Sequence, residues 1–472
     1  MSARRLKMNM QTRLLLVIPA WAVFCIGYLY ASPGVDLLLL LNNEEQKTYE
    51  LNASALVPMH YSDIIAADFD GDGDMDIVQS GDLSTGTEMH YYNNKKGTFV
   101  RISNPLDTDN NGVGDSALPG VGYEAVLDAA DMDKDGDMDL IGTGSGNTYL
   151  LENLGSGVFR NRSTWVDTDA NGTGDAVFAG TWQGFVSFAD DNQDGYYDVL
   201  LNAADGTPSL TTLYRNEKNH TFSLVANPVQ GTSELLDKNN GTHAWGDFNK
   251  DNYLDLIIIG GQNDASTVLY QNLQNGTFTR VANPVDGSSE FLGLFSGPVF
   301  WGDFDKDNDP DIIVSATEDA SASFTPHTIL YRNNGNGTFT LVPAPIDTNA
   351  DGIGDAAFSI HAMSECIFVD FDKDNDLDIY MLGWDPDADG VNQLFKNNGA
   401  GVYTAITNPV DTNGNGTGDS PLPPIGYGGA AFADFDRDGY LDLVFNGHLD
   451  DFVTKVSKMY RNNGKGLFRP VN

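Results

Sequence analysis

Residues 363–383 read MSECIFVDFDKDNDLDIYMLG. An apolar stretch runs into Asp370, carboxylates follow at every second position (Asp372, Asp374, Asp376, Asp378), and a second apolar stretch begins at once. Two runs of strand length on either side of a tight polar loop read as a β-hairpin. Positions 1, 3, 5 and 9 of the loop aim side-chain oxygens inward, and position 7 adds a backbone carbonyl. Position 6 must turn left-handed, which Gly and Asn tolerate best.

The pattern recurs at intervals of 56–67 residues, starting at Asp68, Asp131, Asp190, Asp247, Asp303, Asp370 and Asp434. The first copy offers Asp68, Asp70, Asp72, Asp74 and Asp76, and the second Asp131, Asp133, Asp135, Asp137 and Asp139. The third offers Asp190, Asn192, Asp194, Tyr196 and Asp198, and the fourth Asp247, Asn249, Asp251, Tyr253 and Asp255. Asp303, Asp305, Asp307, Asp309 and Asp311 follow, then the 370–378 set, then Asp434, Asp436, Asp438, Tyr440 and Asp442. About 20–30 residues after each loop a second pattern returns, as in LYRNNGNGTF at 330–339 and MYRNNGKGLF at 459–468. It reads as strand, Asn/Gly turn, strand. Each unit is therefore four short antiparallel strands, here lettered A to D. One such sheet cannot bury both faces alone, so the expectation is an all-β, seven-bladed β-propeller with the Asp loops in the A–B hairpins.

Alternating carboxylates with a carbonyl suit a hard cation with many oxygen ligands, which is Ca²⁺. Transition metals would call for His or Cys, absent from these loops. Unneutralised, each loop packs three or four like charges within a few ångströms. About seven Ca²⁺ are expected. A further four loops bring the total to eleven: Asp107, Asp109, Asn111 and Asp115; Asp167, Asp169, Asn171 and Asp175; Asp347, Asn349, Asp351 and Asp355; Asp411, Asn413, Asn415 and Asp419. These have Gly at position 6 and fall between one blade's strand D and the next blade's strand A. Metal-free Asx turns are their alternative. DPDADG at 385–390 is a weaker relative.

The DxDxDGxxD loop and the LYRNNGxGTF turn resemble the FG-GAP/VCBS repeat family, also seen in integrin α-subunits, across nearly all of 38–472. The resemblance implies a seven-bladed propeller with Ca²⁺ in the A–B hairpins. Asn252, Asn308 and Asn375 depart from it by replacing Gly at position 6, and no literal Phe-Gly…Gly-Ala-Pro signature is evident.

Of 472 residues, 67 are acidic and 26 basic, a net charge of −41, with 41% hydrophobic residues. That apolar share builds a core. The charge argues against nucleic acid and against an anionic membrane surface. Residues 1–31 read as a secretory signal peptide or, uncut, a signal-anchor: Arg4, Arg5, Lys7 and Arg13 precede an apolar run to Ala31. The expected location is secreted or at the cell surface, with membrane contact only through an uncut anchor. Cleavage would remove Cys25 and leave Cys366 alone. Residues 32–57 read as an N-terminal β-hairpin that closes the ring or, as a surplus, pairs with another copy. The blades occupy 58–472. Sequons stand at Asn52, Asn161, Asn171, Asn219, Asn240, Asn275, Asn336 and Asn415.

No nucleophile elbow or metal-binding His spacing is present, and no enzyme activity is expected. The leading reading is an extracellular binding or adhesion module for protein or carbohydrate. The alternatives are a propeller-type polysaccharide lyase or hydrolase and a structural subunit of a homomeric surface assembly. His60, Tyr123, Trp182 and Phe295, each eight residues before a first Asp, together with Trp384 in a B–C loop, form the candidate ligand face. The competing reading packs them into the channel entrance. Trp245 and Trp301 belong to the core.

Overall fold

The computed structural model describes residues 52–53, 55–162, 164–181, 184–203, 210–230, 234–236, 241–261, 264–318, 325–358, 362–385, 388–449 and 453–471. The leader and all but the end of the 32–57 segment lie outside these residues, as does Trp182. Seven antiparallel sheets follow one another along the chain. Blade 1 is built from strands A to D at His60–Ala67, Asp76–Leu83, Gly86–Lys95 and Thr98–Ile102. Blades 2 to 7 span Val126–Asn161, Phe185–Leu224, Thr242–Arg280, Leu294–Val342, Ala362–Ile406 and Ala430–Pro470. No helix is present among the described residues. Strand A of blade 5 is broken in two, Leu294–Phe295 and Val299–Gly302, where Ser296 turns left-handed at φ 53°.

Strand A is innermost, since successive A strands touch one another around the axis. Seven apolar clusters hold the structure together, one at each junction between blades. Val78, Met89 and Tyr91 of blade 1 pack on Leu127, Leu140 and Phe159 in blade 2. The ring closes through Ile64, Ile77 and Tyr92 of blade 1 against Ala433, Val444 and Met459 of blade 7. The apolar alternation along each strand thus feeds both faces of a sheet, as a propeller requires.

A polar clasp accompanies every apolar junction. The ninth loop residue (Asp76, Asp139, Asp198, Asp255, Asp311, Asp378, Asp442) is at most 1% exposed. One of its oxygens accepts, at 2.7–2.8 Å, the backbone N–H of an asparagine on strand C: Asn94, Asn153, Asn216, Asn272, Asn333, Asn397 or Asn462. The amide of that asparagine donates to the position-8 carbonyl of its own loop, for example Met75 for Asn94 and Pro310 for Asn333. It donates again, at 2.6–3.0 Å, to a position-2 carbonyl of the preceding blade: Phe435, Phe69, Met132, Asp191, Phe248, Phe304 and Phe371 in turn. Its Oδ1 accepts an N–H of the C–D turn, as from Gly97 and Gly335. The asparagine that the sequence shows as a turn former is therefore the inter-blade staple, and Asn94 bonded to Phe435 makes the seam between last and first blades like the others.

The linkers between blades also bind across. Leu106, Val166, Val229, Val285, Ile346 and Val410 each form a parallel bridge to the first residue of strand D in the next blade. Asn52 takes the corresponding place beside Thr98 of blade 1.

Truncating the staple tests this account. Asn333→Ala strands the carbonyls of Phe248 and Pro310 and one turn N–H in a buried site, and should cost about 2–4 kcal/mol in urea unfolding. Asn334→Ala, on the exposed neighbour, should stay within about 0.5 kcal/mol. Equal losses would remove the staple's special role.

Candidate metal centres and a candidate ligand face

The nine-residue loops share one backbone. Position 1 accepts the N–H groups of positions 5 and 6: Asp72 and Gly73 donate to Asp68 at 3.1 and 2.8 Å, Asp307 and Asn308 to Asp303 at 3.0 and 2.9 Å. Position 5 accepts from position 7, as Asp307 does from Asp309 at 2.9 Å. Position 6 is left-handed as expected, with Asn252, Asn308 and Asn375 at φ 63–69°. Position 4 is left-handed too, a feature the sequence reading did not contain: Lys134, Gln193, Lys250, Lys306, Lys373 and Arg437 have φ 58–65°. The turn throws each of these side chains onto the next loop. Lys250 Nζ lies 2.6 Å from Asp309, Arg437 Nε 2.6 Å from Asp74, and Lys306 pairs with Asp376. Lys134 sits over the Tyr196 ring at 4.4 Å, and Lys373 donates to the Gly439 carbonyl at 2.7 Å.

In blades 1 and 2, positions 1, 3 and 9 bring side-chain oxygens together. Asp68, Asp70 and Asp76 bring one carboxylate oxygen each within 4.8 Å of one another, and so do Asp131, Asp133 and Asp139. Position 3 is engaged from strand C: Arg332 Nε lies 2.7 Å from Asp305 Oδ2, and Lys396 pairs with Asp372 Oδ2. The other oxygen of each, Asp305 Oδ1 and Asp372 Oδ1, is buried with no hydrogen-bond partner, as are Asp131 Oδ1 and Asp434 Oδ1 at position 1. A buried carboxylate oxygen without a donor is costly. Inward-facing orphan oxygens with no His or Cys in the loop are the donor set that a hard cation satisfies. Position 9 contributes differently from the other acids, since its carboxylate also carries the clasp. Blade 2 differs again: Glu152 stands where blades 3, 5, 6 and 7 place Arg or Lys, and His220 of blade 3 approaches Asp133 at 3.7 Å.

Burial acts on these acids before anything else. It raises position 1 throughout (Asp68, Asp131, Asp190, Asp247, Asp303, Asp370, Asp434). At position 9 it pushes Asp76, Asp255 and Asp378 up to about 8 and Asp139 and Asp311 up to about 9. Around the axis, burial likewise raises Asp63 to about 6 and Asp128 to about 7, and Glu365 well above the ordinary range. Asp63 and Asp128 bind across blades, accepting the N–H groups of Leu127 and Phe188 at 2.7 Å. The sequence reading passed over these three acids because they stand singly in apolar strands.

The four linker loops have the same backbone with a different closure. Asp107, Asp167, Asp347 and Asp411 accept from positions 5 or 4 and from position 6, as in Gly352 N–H to Asp347 at 2.7 Å. Position 9 (Asp115, Asp175, Asp355, Asp419) is bound by the hydroxyl of the position-2 threonine at 2.8–2.9 Å rather than by a staple. Backbone N–H groups, Gly352 first, hold Asp347 below the ordinary carboxylate range. Asn111, Asn171, Asp351 and Asn415 at position 5 each accept the N–H of position 7. The DPDADG segment behaves otherwise: Trp384 pairs with Gly390 and Asp385 with Ala388, so it is a hairpin end.

On the opposite face, His60 and Tyr123 lie partly exposed near the axis. Phe295 is 1% exposed and paired with Thr317, so it packs the core and does not reach that face. Trp384 lies on strand B of blade 6, and its side chain, like all of Trp182, is outside the described residues. Trp301 is buried and Trp245 donates its indole N–H to Ser187 at 3.0 Å. Tyr61 and Tyr427, which the sequence reading missed by one position, join Tyr123: the Tyr61 ring is 4.0 Å from Tyr123 and 5.0 Å from Tyr427.

A profile described as FG-GAP-like repeat matches residues 68–141, 190–258, 247–314 and 370–445. The chain belongs to the FG-GAP-like repeat family. Each match runs from the A–B loop of one blade into strand B of the next, and together they contain the A–B loops of all seven blades. No curated relative matches the chain. Among solved structures, an Agrocybe aegerita lectin, described for specific recognition of non-reducing terminal N-acetylglucosamine, is 19% identical with a TM-score of 0.49, covering 88% of this chain and 90% of its own. The Photorhabdus luminescens Tc holotoxin pore is 13% identical with a TM-score of 0.37, covering 83% of this chain and 18% of its own. The V. cholerae biofilm matrix protein Bap1 is 13% identical with a TM-score of 0.31, covering 88% and 71%.

The raised acids set a pH dependence. An aspartate that titrates at about 3.9 unfolded and about 8 folded holds its proton longer in the native state. Between those values the native state binds more protons, so stability falls as pH rises. In a chelator, the melting temperature should drop steadily from pH 4.5 to pH 8. A flat or rising profile in chelator would contradict the burial of these acids.

Proposed function

We propose that this protein is a calcium-stabilised propeller that works outside the cytoplasm as a binding or adhesion module for protein or carbohydrate. The observation that carries the calcium reading is the set of buried, partnerless oxygens at loop positions 1 and 3. In each blade loop, positions 1, 3 and 5 would hold the ion with the position-7 carbonyl, and position 9 would share its carboxylate between ion and staple. Bound calcium would supply charge neutralisation, and the chain's own contribution is a preformed turn.

The magnitudes favour an extracellular setting. A site with Kd of about 10⁻⁴ M in roughly 2 mM calcium gains about 1.8 kcal/mol. One site is modest, but several together match the roughly 5–15 kcal/mol stability of a domain. At cytosolic calcium the same sites would contribute almost nothing. The net charge of −41 and the apolar run ending at Ala31 point the same way. In the four linker loops, backbone N–H groups and a threonine hydroxyl already hydrogen-bond positions 1 and 9, so an ion adds less there.

Scanning calorimetry with metal counting tests the reading. In 2 mM calcium, at least five ions per chain should copurify and the melting temperature should exceed that in EDTA by about 10 °C or more, several sites each adding the increment above. Identical melting in both buffers would remove calcium from the account.

A further inference from the structure

We infer that the tyrosine cluster at the mouth of the central channel is a saccharide-binding platform for neutral or amino pyranosides; this names the ligand class of the binding-module reading and rests on it. Tyr427 approaches from the linker into blade 7, Tyr61 from strand A of blade 1, and Tyr123 from the linker into blade 2. Backbone bonds wire the three blades together under the rings: Tyr61 N–H donates to the Tyr427 carbonyl at 2.8 Å, and Ala125 N–H donates to the Tyr61 carbonyl at 3.2 Å. The geometry is imposed on unwilling residues. Tyr61, Glu124 and Tyr427 have φ 46°, 53° and 49°, where side chains are disfavoured. A β-bulge between His60 and Asp63 re-aims the start of strand A. Gly428 permits the turn at Tyr427, because a Cβ there would run into the carbonyl of Asn446. Strain of this kind, held by surrounding bonds, clusters where a surface is pre-organised for a task.

The rings are partly exposed and belong to none of the seven apolar clusters. Their surroundings are polar. The His60 ring is tilted 51° to that of Tyr61 at 4.7 Å and lies 3.4 Å from Asp82, whose carbonyl accepts from Lys455 at 3.0 Å. His448 stacks 5.3 Å from Tyr427, and Glu124 adjoins Tyr123 and Tyr427. Ring centroids 4.0 and 5.0 Å apart leave no gap for an ammonium group between faces, so this is a platform and not a cage. A pyranose suits such a surface: its C–H face would cover the exposed part of the ring cluster, whose members already pack on one another, and its hydroxyl edge would meet imidazole, carboxylate and amine groups at the border. Asp82, Glu124 and the overall charge of −41 repel uronates and sulfated sugars.

The experiment is a glycan array followed by calorimetric titration of the best hit, in calcium, on the full chain. The intact protein should bind neutral or amino glycans, and Tyr61→Ala with Tyr427→Ala should weaken binding at least tenfold. Because Tyr61 sits on strained backbone, Glu124→Gln and Tyr123→Phe provide gentler variants, expected to weaken binding about threefold with unchanged melting. Unweakened binding by all variants would place the site elsewhere and overturn the inference. So would preference for anionic glycans. A chain that is stabilised by calcium yet binds no glycan would also overturn it, leaving the module reading with a protein ligand.

Discussion

A buried aspartate bonded to a buried asparagine holds this ring together. Each of the seven pairs lies where strand B leaves the Asp loop and strand C enters its turn, and each asparagine reaches across to the preceding blade. Apolar contacts between blades supply most of the burial, but they are non-directional. The staple supplies register: its amide has two donors and both are spent on named carbonyls. A blade shifted by one residue would lose both, together with the apolar match.

The same loop carries two jobs on alternate residues. Position 9 faces the sheet and serves the staple, while positions 1 and 3 turn oxygens inward, where Arg332 and Lys396 reach only one oxygen of their aspartates. Position 4 faces the next loop and straps it, except in blade 1, where Gly71 offers no side chain. On the proposed reading, this division of labour accounts for the three to five acids in each nine-residue loop. A loop needing only a turn would not carry this charge, and a loop needing only a cation would not bury position 9 completely. Desolvation raising these acids is the cost of that arrangement in the absence of a counter-ion.

The architecture was legible because a tandem repeat displays its period seven times over: strand order, loop position and blade number all follow from the spacing of the Asp loops and the Asn/Gly turns. What stayed hidden depends on contacts between blades. Asn333 and its counterparts read as turn formers, since nothing local marks a bond to a residue in another blade. In blades 2 to 7 position 4 carries Lys, Gln or Arg, residues with no preference for left-handed backbone, so its turn left no compositional trace there. Phe295 and Tyr61 occupy neighbouring registers of equivalent strands, yet one is buried and the other lines the mouth; a bulge in blade 1 and a break in blade 5 decide which. The flanking Gly426 and Gly428 were the one signal for Tyr427.

On the proposed reading, cations sit among the loop carboxylates while the staple stays intact. The most direct measurement is a long-wavelength anomalous difference map from crystals grown in calcium. A peak bounded by positions 1, 3 and 5 in the blade loops, with each position-9 aspartate still bonded to its asparagine, is the predicted result. Loops without a peak, their acids satisfied by lysine and arginine alone, would contradict it.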